Sequence, residues 1–280
     1  MRCATVMTAP SARNTGTPRS TRIAVPLRAA ALPHSANDAT RAAVVAIAST
    51  CSACHLQPSC LPCGLPGVGA SPGRPLTFSR RRVARGRALF EQGDAFHFIF
   101  AVRSGSLKSS VTLSNGREQV CGFRMSGDVV ALDGIATGCH ATRAVAIDDS
   151  EVCGVAYTPL LERIAQDAAL QRSVSRLMSH EIVRTQGLMM MLAQLSAQER
   201  LVGFLLDLSR RFLARGRSGC DIDLAMSRAE IGSYLGLTLE TVSRALSLLR
   251  DQGLLLVDHR RIRILDPGAL SGLMRGASRA

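Results

Sequence analysis

The chain is predicted to be an α+β protein: a small all-β barrel or roll, then a long helix, then a helix-turn-helix with a β-hairpin wing. Three observations predict this. Between Phe78 and Pro159, short apolar runs alternate with turn signals at regular spacing. After Pro159, apolar residues recur at intervals of three and four. From Ser196 onward, two capping boxes and a glycine turn mark short helices set close together.

Residues 1–50 carry six Arg against one Asp and are rich in Ala, Thr, Ser and Pro. This reads as a disordered basic tail, with a short apolar patch at 42–48. It accounts for five of the thirteen net positive charges. The other eight, on a chain that is 46% apolar, fit a globular protein with a polyanionic partner. The chain has no Trp and only 4% aromatics, which argues against base stacking on single strands. No apolar run is long enough to span a membrane, and the expected compartment is the cytoplasm.

Residues 51–77 are a cysteine-rich loop followed by a Gly- and Pro-rich linker. Four of the nine cysteines, Cys51, Cys54, Cys60 and Cys63, lie here. Pro58, Pro62 and Gly64 exclude a helix or strand that could bury them. Crowded loop cysteines imply a metal, a cluster or disulfides. Disulfides are disfavoured in a reducing compartment. Two C-x2-C pairs suit zinc, and four thiolates also suit an iron–sulfur cluster. The loop alone does not separate these two. No nucleophile–base pattern or Gly-rich phosphate loop accompanies the cysteines, so an enzyme is not expected.

Residues 78–160 form the roll. Gln92-Gly93-Asp94, Arg103-Ser104-Gly105, Ser114-Asn115-Gly116 and Ser126-Gly127-Asp128 punctuate strand-like runs such as 98–102. Residues 161–195 form one long helix with two apolar stripes. One stripe runs through Val174, Met178, Ile182, Thr185, Met189 and Leu192; the other through Leu170, Leu177, Leu188, Met191 and Leu195. Two stripes need two partners. The roll covers one, and a second copy of the helix covers the other. Met178, Ile182, Thr185 and Met189 are the predicted dimerisation residues.

Residues 196–270 form the winged helix-turn-helix, and 271–280 a tail. Ser196 to Glu199 caps one helix and Ser227 to Glu230 the next. Gly236 makes the turn, and Thr238 caps a helix over Leu239 to Asp251. The runs 254–257 and 262–264 flank a basic wing tip. Glu240, Ser243 and Arg244 share one face of the last helix at i, i+3 and i+4, with Thr238 and Thr241 at its start. In a major groove, Glu240 can accept from a cytosine amino group and Arg244 can clamp guanine O6 and N7.

Residues 226–244, Met-Ser-Arg-Ala-Glu-Ile-Gly-Ser-Tyr-Leu-Gly-Leu-Thr-Leu-Glu-Thr-Val-Ser-Arg, resemble the DNA-binding motif of the FNR branch of the cyclic-AMP-receptor/FNR superfamily. Residues 100–105 and 122–128 resemble the β-roll of the same superfamily. The resemblance covers roughly 78–265 and the cysteine loop. It implies a cyclic-nucleotide-binding-like sensor roll and an oxygen-responsive transcription regulator. It further implies a 4Fe–4S cluster on Cys51, Cys54, Cys60 and Cys153. The alternative, read from the two C-x2-C pairs themselves, is a zinc- or thiol-dependent regulator of the same fold that senses another signal, with zinc on Cys51, Cys54, Cys60 and Cys63. The implied target is double-stranded DNA with a TTGAT-like inverted repeat, bound by a homodimer. A loop at 114–118 is implied to contact RNA polymerase. Two departures stand out: Cys63 is extra, and the linker at 64–77 replaces a short acidic helix. Cyclic nucleotide binding is not expected, because Ala141-Thr142 stands where a phosphate-holding Arg-Ser pair belongs.

Overall fold

The computed structural model describes residues 44–45, 76 and 78–276. Most of the predicted tail, the linker up to Pro75, and Cys51, Cys54, Cys60 and Cys63 lie outside the described residues. The roll comprises β1 (Val44–Val45), β2 (Phe78–Val83), β3 (Ala88–Phe90), β4 (Phe98–Ser104), β5 (Ser106–Thr112), β6 (Glu118–Met125), β7 (Val129–Val130), β8 (Arg143–Ala146) and β9 (Ser150–Ala156). One sheet runs β1-β2-β9-β4-β7 and the other β3-β8-β5-β6. Their inner faces meet over a core that includes Phe100, Val102, Leu107 and Val152.

The patch at 42–48 thus has a use. Val45 pairs with Phe78 and Val44 with Ser79, which adds an edge strand to β2. The tail prediction is corrected at those two residues.

The β4–β5 hairpin shows why its turn needs glycine. Gly105 has φ of +79°, and a Cβ there would lie 2.4 Å from Ser150 Oγ and 2.6 Å from the Asp149 carbonyl oxygen. Gly105→Ala is therefore expected to destabilise the roll by about 2–4 kcal/mol, the sum of a left-handed alanine and a backbone clash. A lower melting temperature, with a native-like far-ultraviolet spectrum retained below it, would register this; an unchanged melting temperature would contradict it.

The predicted single helix over 161–195 is two helices, α1 (Tyr157–Gln166) and α2 (Ala168–Gln194). Asp167 breaks them. Its backbone is extended, and its carboxylate accepts from Ala169 N at 2.9 Å and Leu170 N at 3.0 Å, so it restarts the chain as an N-cap. The two stripes then separate. Leu170 is buried, and Leu177, Leu188, Met191 and Leu195 are half-buried. On the other stripe Ile182, Thr185 and Met189 are exposed, while Val174, Met178 and Leu192 are half-buried.

The C-terminal unit comprises α3 (Ala197–Leu213), β10 (Asp221–Asp223), α4 (Arg228–Leu235), α5 (Leu239–Asp251), β11 (Leu255–Asp258), β12 (Arg261–Ile264) and α6 (Pro267–Gly276). Two elements differ from expectation. The wing has a third strand, β10, paired with β12. The predicted tail from 271 is instead mostly helix: α6 buries Leu270 completely, and Leu273 and Met274 pack on the same core.

That core also takes in Val120, Phe123, Met125 and Ile147 of the roll. Phe123 meets Tyr234 with ring centroids 5.3 Å apart and Phe204 at 6.1 Å. The roll and the helix-turn-helix are thus joined by shared apolar packing as well as through α2.

Candidate nucleic-acid interface and cysteine site

The helix-turn-helix is assembled from local signals. Ser227 and Glu230 form a reciprocal capping box at the start of α4. Burial would raise the Glu230 pKa, but its bonds from Ser227 and the charge of Lys108 outweigh this and hold it below the usual carboxylate range. Lys108 Nζ lies 3.1 Å from Glu230 and 3.2 Å from Glu118, which ties α4 to the base of the β5–β6 hairpin. Helix α4 ends at Gly236, with φ of +64°. Gly232 is needed for the turn: a Cβ there would lie 2.7 Å from the Leu237 carbonyl oxygen, and the Leu237 amide donates to the Gly232 carbonyl at 2.8 Å. Thr238 then caps α5, accepting from Thr241 N at 3.2 Å.

Helix α5 buries Val242, Leu246 and Leu249 and turns its other side outward. Thr238, Glu240 and Arg244 are exposed, whereas Thr241 and Ser243 are half-buried. The predicted readers therefore share an outward face. Glu240 is held below the usual carboxylate range by its own backbone N–H, then by the Thr238 hydroxyl and the charge of Arg244. It is a carboxylate at neutral pH. Thr238 and Thr241 are partly committed to each other, their hydroxyls 3.0 Å apart. One partner was missed by sequence reasoning: Arg228 Nη1 donates to Ser243 Oγ at 3.3 Å, so an arginine of α4 stands beside the readers of α5. Its position directly after the cap residue Ser227 is the signal that was available.

A second missed residue is Asp128, read from the sequence only as part of a turn. It is almost buried, accepts from Met125 N at 2.9 Å and is clamped by Arg211 and Arg215 of the α3 end. Nearby, Arg124 pairs with Glu181 at 2.5 Å, and Arg184 Nη2 donates to the Phe123 carbonyl at 2.8 Å. Strand β6 is also bonded to α4, with the Val120 amide donating to Ser233 Oγ at 2.9 Å.

Of the four predicted cluster ligands, only Cys153 is described. It is half-buried on β9, between Arg80 of β2 and Ala101 of β4. Arg80 approaches Glu151 at 3.6 Å on the same strand pair. No group of three or more metal-ligating side chains occurs among the described residues.

Comparison with known proteins bears on the whole chain. Residues 80–167 match the cyclic nucleotide-binding domain model and residues 199–273 the Crp-like helix-turn-helix domain model. The transcriptional regulatory protein Btr of Bordetella pertussis is 41% identical over 228 residues, covering 81% of this chain and 94% of that one. The chain belongs to the Crp/FNR family. The transcriptional activator protein Anr of Pseudomonas aeruginosa is 39% identical, covering 81% of this chain and 93% of its own. The fumarate and nitrate reduction regulatory protein of Escherichia coli is 35% identical over 80% of this chain and 89% of its own. Among solved structures, FixK2 from Bradyrhizobium japonicum aligns with a TM-score of 0.64 at 32% identity, covering 70% of this chain and 96% of that one.

As a member of this family, the chain is a DNA-binding transcription regulator and not an enzyme. The mixed α/β architecture, a nucleotide-binding-like roll followed by a helix-turn-helix, agrees with the fold class read from the sequence. No helix among the described residues is long and apolar enough to cross a membrane.

Proposed function

We propose that the protein is an oxygen- or redox-responsive regulator that binds palindromic DNA as a homodimer while an iron–sulfur cluster is held by Cys51, Cys54, Cys60 and Cys153. The observation that carries this is the way the chain enters and leaves the cysteine loop. Val45 pairs with Phe78, and Phe78 pairs with Val155 on β9. The segment between Val45 and Phe78 therefore starts and finishes at one place, on the strand neighbouring that of Cys153. At about 4.8 Å between strands and 3.3 Å per residue, Cys153 lies about 12 Å from Val45. Cys51 is six residues past Val45 and can reach about 20 Å. Cys153 is thus within the loop's covalent reach.

The donor set suits a 4Fe–4S cluster, which takes four thiolates with three grouped and one distant. When bound, the cluster supplies an oxygen-labile centre whose loss removes the ordering of the loop. The protein's own part is to convert that order into association. Ile182 and Met189, seven residues apart on α2, are each more than half exposed, as are their neighbours Val183 and Met190, so this helix offers apolar surface to a partner. Thr185 lies among them with its hydroxyl bonded to its own helix at Glu181 O, 2.9 Å, so it brings no charge to a seam with a second copy. Two copies present two α5 helices to the two halves of a TTGAT-like inverted repeat. The hairpin turn at 114–118 then faces RNA polymerase, which makes activation the expected outcome, and the site of action is the cytoplasm.

The reading includes no cyclic nucleotide. Thr142 donates through its amide at 2.8 Å and its hydroxyl at 2.9 Å to Asp133, a carboxylate where a phosphate would have to be received. Arg143 is engaged by Glu91 at 2.7 Å.

The test separates the cluster from the zinc alternative. Anaerobically purified protein is expected to be brown, with a visible absorption band. Cys153→Ala should abolish that band and Cys63→Ala should preserve it. A colourless protein that binds zinc and needs Cys63 instead would assign the metal to the compact quartet.

A further inference from the structure

A cavity of about 530 Å3 lies where the turns at one end of the roll meet α3, the segment leading into α4 and the tip of the wing. It falls within the size range of small-molecule sites. Its lining includes none of the predicted α5 readers and not Cys153. One wall is apolar, made of Leu208, Phe212 and Met226, each almost fully buried. Four arginines also line it. Two are already neutralised: Arg103 pairs with Glu151 at 2.6 Å and Arg215 with Asp128 at 2.5 Å.

The other two are differently placed. The Arg217 guanidinium lies over the Phe212 ring, 4.2 Å from its centroid. The wing's Arg260 gives one N–H to the Ala225 carbonyl at 3.2 Å. Among the described residues, neither is within ion-pair distance of a carboxylate. Each is held by a single neutral contact at the edge of the cavity, with further donors to offer. Asp148 and Asp223 also line it and can accept from hydroxyl or amino groups.

We propose that this cavity is a binding site for a small organic oxyanion, a phosphate or carboxylate carried on a flat apolar body. The oxyanion is received by Arg217 and Arg260 and the body lies against Phe212, Leu208 and Met226. An arginine donating to an oxyanion makes a charge-assisted bond, stronger than a neutral one. The stacked position of Arg217 on Phe212 pre-sets its plane, which lowers the cost of ordering it. An organic anion adds van der Waals contact with the edges of Leu208, Phe212 and Met226, which inorganic phosphate does not make.

The test titrates the full-length protein with phenyl phosphate, benzoate and inorganic phosphate at constant ionic strength, by calorimetry. The expected result is saturable one-to-one binding of phenyl phosphate or benzoate, with inorganic phosphate much weaker. The tighter of the two organic probes identifies the preferred oxyanion. Arg217→Ala and Arg260→Ala should each weaken that probe by roughly tenfold. Both residues are exposed, so the variants should fold. Ser104→Trp, at an exposed lining position, should block the cavity and abolish binding with both arginines intact. Three results would overturn the proposal: no saturable binding of either organic probe, equal binding of inorganic phosphate, or binding unchanged in the arginine and Ser104→Trp variants.

Discussion

Arg244→Ala is expected to weaken operator binding by about 1–3 kcal/mol in each half-site and to relax selectivity at one base pair of each half. The exposed position of Arg244 on α5, on the outward face it shares with Glu240, is what permits base readout. Simple attraction to phosphate predicts something else: a uniform loss on all sequences and a salt slope lower by about one unit per arginine removed. Glu240 supplies the complementary test. It is ionised at neutral pH, so charge alone predicts that Glu240→Ala tightens binding to every duplex. Base readout predicts a loss on the operator and a gain on scrambled DNA. Titrating both variants against an operator and a half-site-scrambled duplex, at two salt concentrations, separates the two. Tighter binding of Glu240→Ala to both duplexes would remove its reading role.

Asp128→Ala is expected to be the most destabilising single change at the junction of roll and helix-turn-helix. Burial alone would raise the Asp128 pKa, but the adjacent Arg211 and Arg215 charges outweigh it and hold the carboxyl below its usual range. Removing it leaves the largely buried Arg215 without a carboxylate partner and Arg211 with Asp207 alone, at 3.8 Å. A broken buried pair of this kind costs about 3–5 kcal/mol. The loss should appear as a lower denaturation midpoint together with weaker operator binding, since α3 leads into the reading unit. A midpoint within error of the parent would contradict it. The pH dependence follows from the direction of the shift. Asp128 is more acidic folded than unfolded. Its contribution is complete above the ordinary carboxylate value of about 3.9 and disappears as pH falls through the lower, folded value. Asp128→Ala should therefore be less steeply destabilised by acid than the parent chain.

What was legible in the sequence was local. Ser227 and Glu230, Gly236 and Thr238 each act on backbone groups within a few residues, and the structure places α5 at the predicted Leu239–Asp251. The two stripes of α2 were legible because helical spacing alone separates them. The break at Asp167 was hidden, because one capping residue interrupted an otherwise continuous apolar period. Strand β10 was hidden for a related reason: only Ile222 is buried, between two exposed aspartates, so three residues give no pattern. Helix α6 was read as a tail because Gly268 and Gly272 weaken its helical signal, while Leu270 reveals its burial only in three dimensions. The junction was the least legible of all. Val120 and Ser233 are 113 residues apart, and no local signal pairs them. Of the proposed cluster ligands, the grouped cysteines declared themselves by crowding. Cys153 sits alone in a strand and was singled out only through the family resemblance.

The most direct test of the account is operator affinity and subunit mass, measured on one anaerobic preparation before and after exposure to air. The account predicts a brown dimer that binds the inverted repeat tightly. On exposure it should lose its visible absorption, become monomeric and lose operator affinity, all with a common time course. A protein that keeps its dimeric mass and its operator affinity after the colour has gone would contradict the coupling between the cysteine site and DNA binding.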